Sequence, residues 1–145
     1  MNYISKQFDE LTNRELYEIL KSRAEIFVVE QNINYVDMDD IDYVSRHFFL
    51  EDGKRVVACL RAYYLDEEKT TLKIGRVLSI KHGLGLGTEL MNKALEEISA
   101  NKLCQKIFIS AQKHAVPFYE SFGFEVISDE YMEEGIVHLA MEKQL

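Results

Sequence analysis

The chain alternates between two hydrophobic periods. From Leu11 to Gln31, residues Leu16, Ile19, Leu20, Arg23, Ala24 and Phe27 recur at helical spacing. Thr12 and Glu15 stand before them as a capping box. The pattern predicts a helix that turns this stripe to a core. A second stripe, Leu86, Leu90, Met91, Ala94, Leu95 and Ile98, predicts a helix over 86–100. Residues 115–122, with Pro117 near a permitted first-turn position, predict a short third helix. Shorter apolar runs predict strands over 3–8, 71–80, 106–111, 123–131 and 136–143. Between them, 47–65 reads as a hairpin about the turn signal Asp52-Gly53, and 66–70 as a polar turn. Residues 32–46 read as a loop or as short helical turns, rich in acids. The order β-α-β-β-β-α-β-α-β-β predicts an α+β (mixed α/β) sheet with helices packed on it.

No repeat, linker or low-complexity tract divides the 145 residues, so one domain over 1–145 is expected. No apolar run approaches the about 20 residues that span a bilayer, and the first ten residues lack a leader's apolar region. A cytoplasmic protein without a membrane partner is expected. Cys59 and Cys104 then read as buried thiols. The net charge of −8 argues against nucleic acid, whose phosphates need a basic footprint, and mildly favours a cationic substrate. The acidic run Asp37–Asp42 lacks the glycine and closing glutamate of a calcium loop. It reads as a solvated loop or as a rim that attracts cations. Arg76 reads as structural, paired with a carboxylate of that run. His47, His82, His114 and His138 show no close ligand spacing, so no metal is expected.

The candidate chemistry begins at Gly83, Gly85 and Gly87, which lie between a predicted strand and a predicted helix. The first N–H groups of a helix lack intrahelical partners and carry the positive end of its dipole. Glycines there let an anion approach, and phosphate suits the site, though glycines also serve simply to turn a corner. The dinucleotide and Walker patterns both fail at this stretch.

Six segments in order resemble one family: "FVVEQ" (27–31), Tyr35-x-Asp37-x-Asp39, "GRV" (75–77), His82 to Gly87, Ala111-Gln112 with "FYESFGF" (118–124), and "YMEEGIVHLAM" (131–141). They resemble the GNAT (Gcn5-related N-acetyltransferase) superfamily, in its ElaA-type branch. His82 stands where the family usually has Arg or Gln. The resemblance implies a mostly antiparallel twisted sheet, splayed at a cofactor strand. It implies an N-acetyltransferase that uses acetyl-CoA as co-substrate and a small-molecule or peptide amine as acceptor, as monomer or homodimer. In the implied site, Val77, Leu78 and Ser79 pair with the pantetheine arm. His82, Gly83, Leu84, Gly85, Leu86, Gly87 and Thr88 hold the pyrophosphate, and Gln112 and Phe118 complete the cofactor contacts. Tyr119 serves the leaving thiolate; packing alone would make it one more core aromatic. The base is left among Glu30, His47, Glu133, Glu134 and His138 or a water relaying to a carboxylate, with Glu30 and His138 as the catalytic candidates. A non-catalytic acyl-CoA or phosphate-ligand binding module of the same fold is the alternative.

Overall fold

The computed structural model describes all 145 residues. An eight-stranded sheet runs in the order β1-β2-β3-β4-β5-β8-β6, with β7 also on β8. The strands are β1 Asn2–Gln7, β2 Arg46–Asp52, β3 Arg55–Tyr64, β4 Thr71–Ser79, β5 Lys106–Gln112, β6 Glu125–Val126, β7 Tyr131–Glu133 and β8 Ile136–Gln144. Every neighbouring pair is antiparallel except β4 with β5. No helix is long and apolar enough to cross a membrane.

Helix α1 (Asn13–Arg23) opens on the capping box: Glu15 N donates to Thr12 Oγ1 at 3.1 Å, and Thr12 N donates to Glu15 Oε1 at 2.8 Å. Its buried face shares Ile19 and Arg23 with the predicted stripe, whose Leu16, Leu20 and Phe27 are half-buried. Glu15, Glu18, Ile19, Ser22 and Arg23 turn inward, while Ala24 is exposed. Polar partners decide the rotation. Ser22 Oγ donates to the Val56 carbonyl at 2.9 Å, Lys6 binds Glu15, and Arg23 enters an ion-pair cluster described below. Burying Leu16 and Leu20 instead would strand these groups without partners. The predicted long helix also changes gait. Ala24–Glu30 is a π-helix, closed by bonds from Gln31 N to Ile26 O and from Ile33 N to Phe27 O.

Helix α2 (Leu86–Ala100) keeps its predicted stripe. Leu86, Leu90, Met91, Ala94 and Ile98 are buried against Phe48, Leu60, Ile74, Ile107 and Ile109 on one face of the sheet. A smaller cluster, including Ile19, Ile26, Phe49, Cys59 and Leu78, lies under α1 on the other face. Cys59 is buried and Cys104 half-buried, and both are free. Helix α3 (Val116–Glu120) follows a 3₁₀ turn at Lys113–Ala115. The predicted strand over 123–131 is two strands. Between them Ser128 Oγ accepts from Ala140 N at 2.9 Å, so a side chain replaces the backbone acceptor and the ladder breaks.

Candidate functional site

β4 and β5 pair only from Thr71↔Lys106 to Ile74↔Ile109. Beyond that point β4 stays with β3 and β5 stays with β8, so the two strands splay. A bulge marks the divergence. Arg61 faces Gly75 and Cys59 faces Leu78, so Arg76 and Val77 oppose one residue of β3. Arg76 takes φ +51°, a left-handed conformation that costs a side-chain-bearing residue about 1–3 kcal/mol. Its guanidinium is tied down in compensation: Nε donates to Asp37 Oδ1 at 2.8 Å and Nη2 to the Asp37 carbonyl at 3.0 Å.

The acidic run is not a solvated loop. Asp37 and Asp39 bind Arg76, Asp37 and Asp42 bind Arg23, and Asp39 and Asp42 bind Arg61. Arg23 is 1 % exposed and Arg61 4 %, so buried cations of α1 and β3 and a half-buried one of β4 staple the 37–42 segment over the sheet. Hydrogen bonds from Arg61 pull the Asp39 carboxyl far below the usual carboxylate range. Burial pushes Asp42 up, but hydrogen bonds from Arg23 and the charges of Arg23 and Arg61 bring it below its ordinary value. The expected pairing of Arg76 with this run is present; the expected cation-attracting rim is not, because the arginines neutralise it.

A cavity of about 350 Å³ opens at the splay, between the stapled loop, the π-helix and the face of the sheet that α1 leaves uncovered. Tyr119 lines it. Its ring packs against Phe118 and Phe124 in the α2-side core, 5.2 and 6.1 Å between centroids. Its hydroxyl makes no hydrogen bond within the chain, and burial pushes the phenol well above its ordinary range, so it stays protonated.

His138 also lines the cavity and is 6 % exposed. Nδ1 lies 2.8 Å from the Ile136 carbonyl, which can only accept, so Nδ1 carries the hydrogen. That leaves Nε2 facing Glu133 Oε2 at 3.3 Å, a pair suited to sharing one proton. Ser110 Oγ donates to the same Glu133 oxygen at 3.1 Å and lies 2.5 Å from Tyr131 Oη. The Tyr131 ring stacks on His138. Glu134 and Gly135 form the two-residue turn from β7 to β8, both at positive φ, which sets Glu134 at the cavity's rim.

Val77 and Gln112 line the cavity, and Gln112 Nε2 donates to Gln31 Oε1 at 3.0 Å. Leu78 and Leu86 are buried in the two cores, so only their main chain can meet a ligand. Ser79 pairs with Ala58 at the end of β4. Gly83 and Gly85 have φ +78° and +72° with open space where a Cβ would stand, so the backbone itself requires glycine there. Gly87 is held instead by Phe118, whose ring would touch an added Cβ at 3.6 Å. No side chain caps α2. The amides of Leu86, Gly87 and Thr88 precede its first bond, Glu89 N to Gly85 O at 3.0 Å, and Leu84 and Thr88 are exposed.

The structure does not bring Glu30 to the cavity. Its carboxylate pairs with His82 Nε2 at 2.7 Å, both exposed, beside the glycine turn. Nor does it bring His47, whose Nε2–H donates to the Asp42 carbonyl at 3.0 Å deep under the staple. Ser110 and Tyr131 escaped the sequence reading. The available signal was the alternation of Phe108, Ser110 and Gln112 against Ile107, Ile109 and Ala111, which leaves a polar side chain on the opposite face from α2.

The family model for an acetyltransferase (GNAT) domain matches residues 34–145. Protein ElaA of Escherichia coli is 34% identical over 140 residues, covering 94% of this chain and 92% of that protein. An acyl-CoA N-acyltransferase of Pseudomonas aeruginosa superposes with a TM-score of 0.90 at 32% identity, over 99% of both chains. The crystal structure of E. coli ElaA superposes with the same TM-score, identity and coverage.

Proposed function

This chain belongs to the GNAT acetyltransferase family, in its ElaA-type branch, and from that premise we propose that it is a single-domain N-acetyltransferase. It moves an acetyl group from acetyl-CoA to a primary amine of a small molecule or peptide, by direct transfer in a ternary complex, in the cytoplasm. The observation that supports the reading is the open edge of β4 after Ile74, which lines the same cavity as Tyr119, whose hydroxyl has no partner in the chain.

The residues present fit acetyl-CoA. The main chain of Val77–Ser79 offers the amide groups of an unpaired strand edge to a pantetheine arm, which carries amides of its own. The uncapped amides of residues 83–88, at the positive end of the α2 dipole, suit a diphosphate. His82 stands beside them with its Nε2 held by Glu30, which gives Glu30 a positioning role. Gln112 and Phe118 complete the wall.

Acetyl-CoA would supply the thioester, with coenzyme A as the thiolate leaving group. Tyr119 donates a hydrogen bond toward the position where that negative charge develops. A phenol raised above its usual value of about 10 cannot readily give its proton to a thiolate whose acid has a pKa of about 8.5. Tyr119 is therefore a fixed donor; the thiolate takes its proton from solvent, to which the acylated nitrogen gives up its second one. A primary ammonium must lose a proton before its nitrogen can attack. His138, through Nε2, takes that proton, and Glu133 stabilises the imidazolium formed. Ser110 and Tyr131 hold Glu133 and the imidazole plane in place.

Calorimetric titration with acetyl-CoA, followed by thiol release against an amine panel, tests the reading. Binding with turnover supports it. Binding without turnover on any amine leaves the non-catalytic binding module, and no binding removes both the enzyme and the acyl-CoA module.

A further inference from the structure

The walls of the cavity are nearly all matched in charge. Asp37 and Asp39 are consumed by Arg76 and Arg61, and Glu133 is shared by His138 and Ser110. Lys73 is the exception among the cavity's bases that are not exposed; His114, also without a partner, lies exposed at the rim. It stands on β4 directly across from Phe108, with its Nζ 5.8 Å from that ring's centroid, half-buried and without any ion pair or hydrogen bond. A second donor there is also unmatched. Nε of Arg61 is the one buried side-chain polar atom in the protein with no partner. Register places Lys73 opposite Tyr63 and Arg61 opposite Gly75, so both cations rise from the same face as Phe108, Ser110 and His138. The cavity's unpaired acid, Glu134, sits exposed at the turn and is solvated.

We propose that the acceptor is an amino carboxylate, a small molecule bearing an anionic group beside its reactive amine, and that Lys73 is the residue that seats the anion. The proposal deepens the acyltransferase reading and rests on it. Ser110, which orients the Glu133–His138 pair, lies two residues beyond Phe108. Strand spacing and rise put its Cα about 8 Å from that of Lys73. The two side-chain clusters line the same cavity of about 350 Å³, which holds a small molecule next to the thioester end of the donor. An amino acid spans it with its amine toward His138 and its carboxylate toward the ammonium on Phe108. An anion there supplies the acceptor that Lys73 lacks, and the aromatic ring holds the cation in place meanwhile. A zwitterion has no net charge, so the chain's −8 does not repel it.

The test uses the full chain loaded with acetyl-CoA or CoA. A set of amino acids is compared, each against the amine left by its decarboxylation, by thiol release and by calorimetric binding. The acid of a pair is expected to be favoured about 10-fold or more in kcat/KM or in Kd, the range of one hydrogen bond to a charged group. The preference should collapse in Lys73→Gln and persist in Lys73→Arg. The acetyl-CoA titration of each variant shows that it is folded. Acids that bind and react no better than their amines overturn the proposal, as does a preference that survives Lys73→Gln. If acetyl-CoA binds and amines are acetylated without that preference, the acyltransferase reading stands and this one falls. If acetyl-CoA does not bind, both fall.

Discussion

Replacing Tyr119 by phenylalanine separates catalysis from stability, because of what its hydroxyl does not touch. The side chain is 7 % exposed, and its ring contacts with Phe118 and Phe124 are all retained by phenylalanine. The hydroxyl makes no hydrogen bond within the chain, so none is lost. The folded state should change by no more than about 0.5 kcal/mol. Catalysis should change much more. A hydrogen bond to a charged partner contributes about 1.5–3 kcal/mol, which is about 10- to 150-fold in rate when the charge exists only in the transition state. Affinity for acetyl-CoA should therefore hold while kcat falls by that factor. Thermal unfolding, calorimetry and thiol release measure the three quantities on one preparation. An unchanged kcat in a folded variant would remove Tyr119 from the mechanism. A loss confined to cofactor affinity would make the hydroxyl a binding group instead.

Gly85→Ala meets no steric neighbour but must hold φ +72°, so it should lower stability by about 1–2 kcal/mol; Gly85→Asp adds a charge at the proposed diphosphate and should abolish acetyl-CoA binding, read by calorimetry. Asp42→Ala leaves Arg23 and Arg61 buried with fewer partners and should cost about 3–5 kcal/mol in urea unfolding, whereas a loss under about 1 kcal/mol would show the staple to be incidental. Stability should decline with acid in two windows. Burial holds the His47 imidazole below its ordinary range, so the folded chain binds fewer protons and loses stability as pH falls through about 6.5. Asp39 and Asp42 are depressed, so their contribution is present above about 4 and is lost as pH falls below it. A urea series should show both windows, His47→Gln should flatten the upper one, and a flat profile from pH 7 to 5 in the parent would contradict the assignment.

Local signals carried much of the fold. The turn at Gly53, the capping box of α1 and the stripe of α2 each depend on residues within a turn or two of one another. The resemblance added the splay and the place of Tyr119. Of the acidic run's partners only Arg76 was legible. Arg23 and Arg61 were not: they lie 14 residues from Asp37 and 22 from Asp39, and no periodicity links positions so far apart. The bonds of Glu15, Glu18 and Ser22 to Lys6 and Val56, outside α1, turned its buried face away from Leu16 and Leu20. Glu30 and His138 looked equivalent as bases in one dimension; only the paths of the π-helix and β8 separate them, one to the glycine turn and the other to the cavity. Lys73 was hidden inside an apolar strand because its neighbours Leu72 and Ile74 face the opposite core.

The central claim is that the open edge of β4 and the first turn of α2 grip one extended thioester carrier. A crystal structure of the complex with coenzyme A addresses it directly. The account predicts the pantetheine arm along residues 77–79, the diphosphate on the amides of 83–88, and the sulfur within hydrogen-bonding distance of the Tyr119 hydroxyl. Coenzyme A bound elsewhere, or a sulfur out of that hydroxyl's reach, would contradict it.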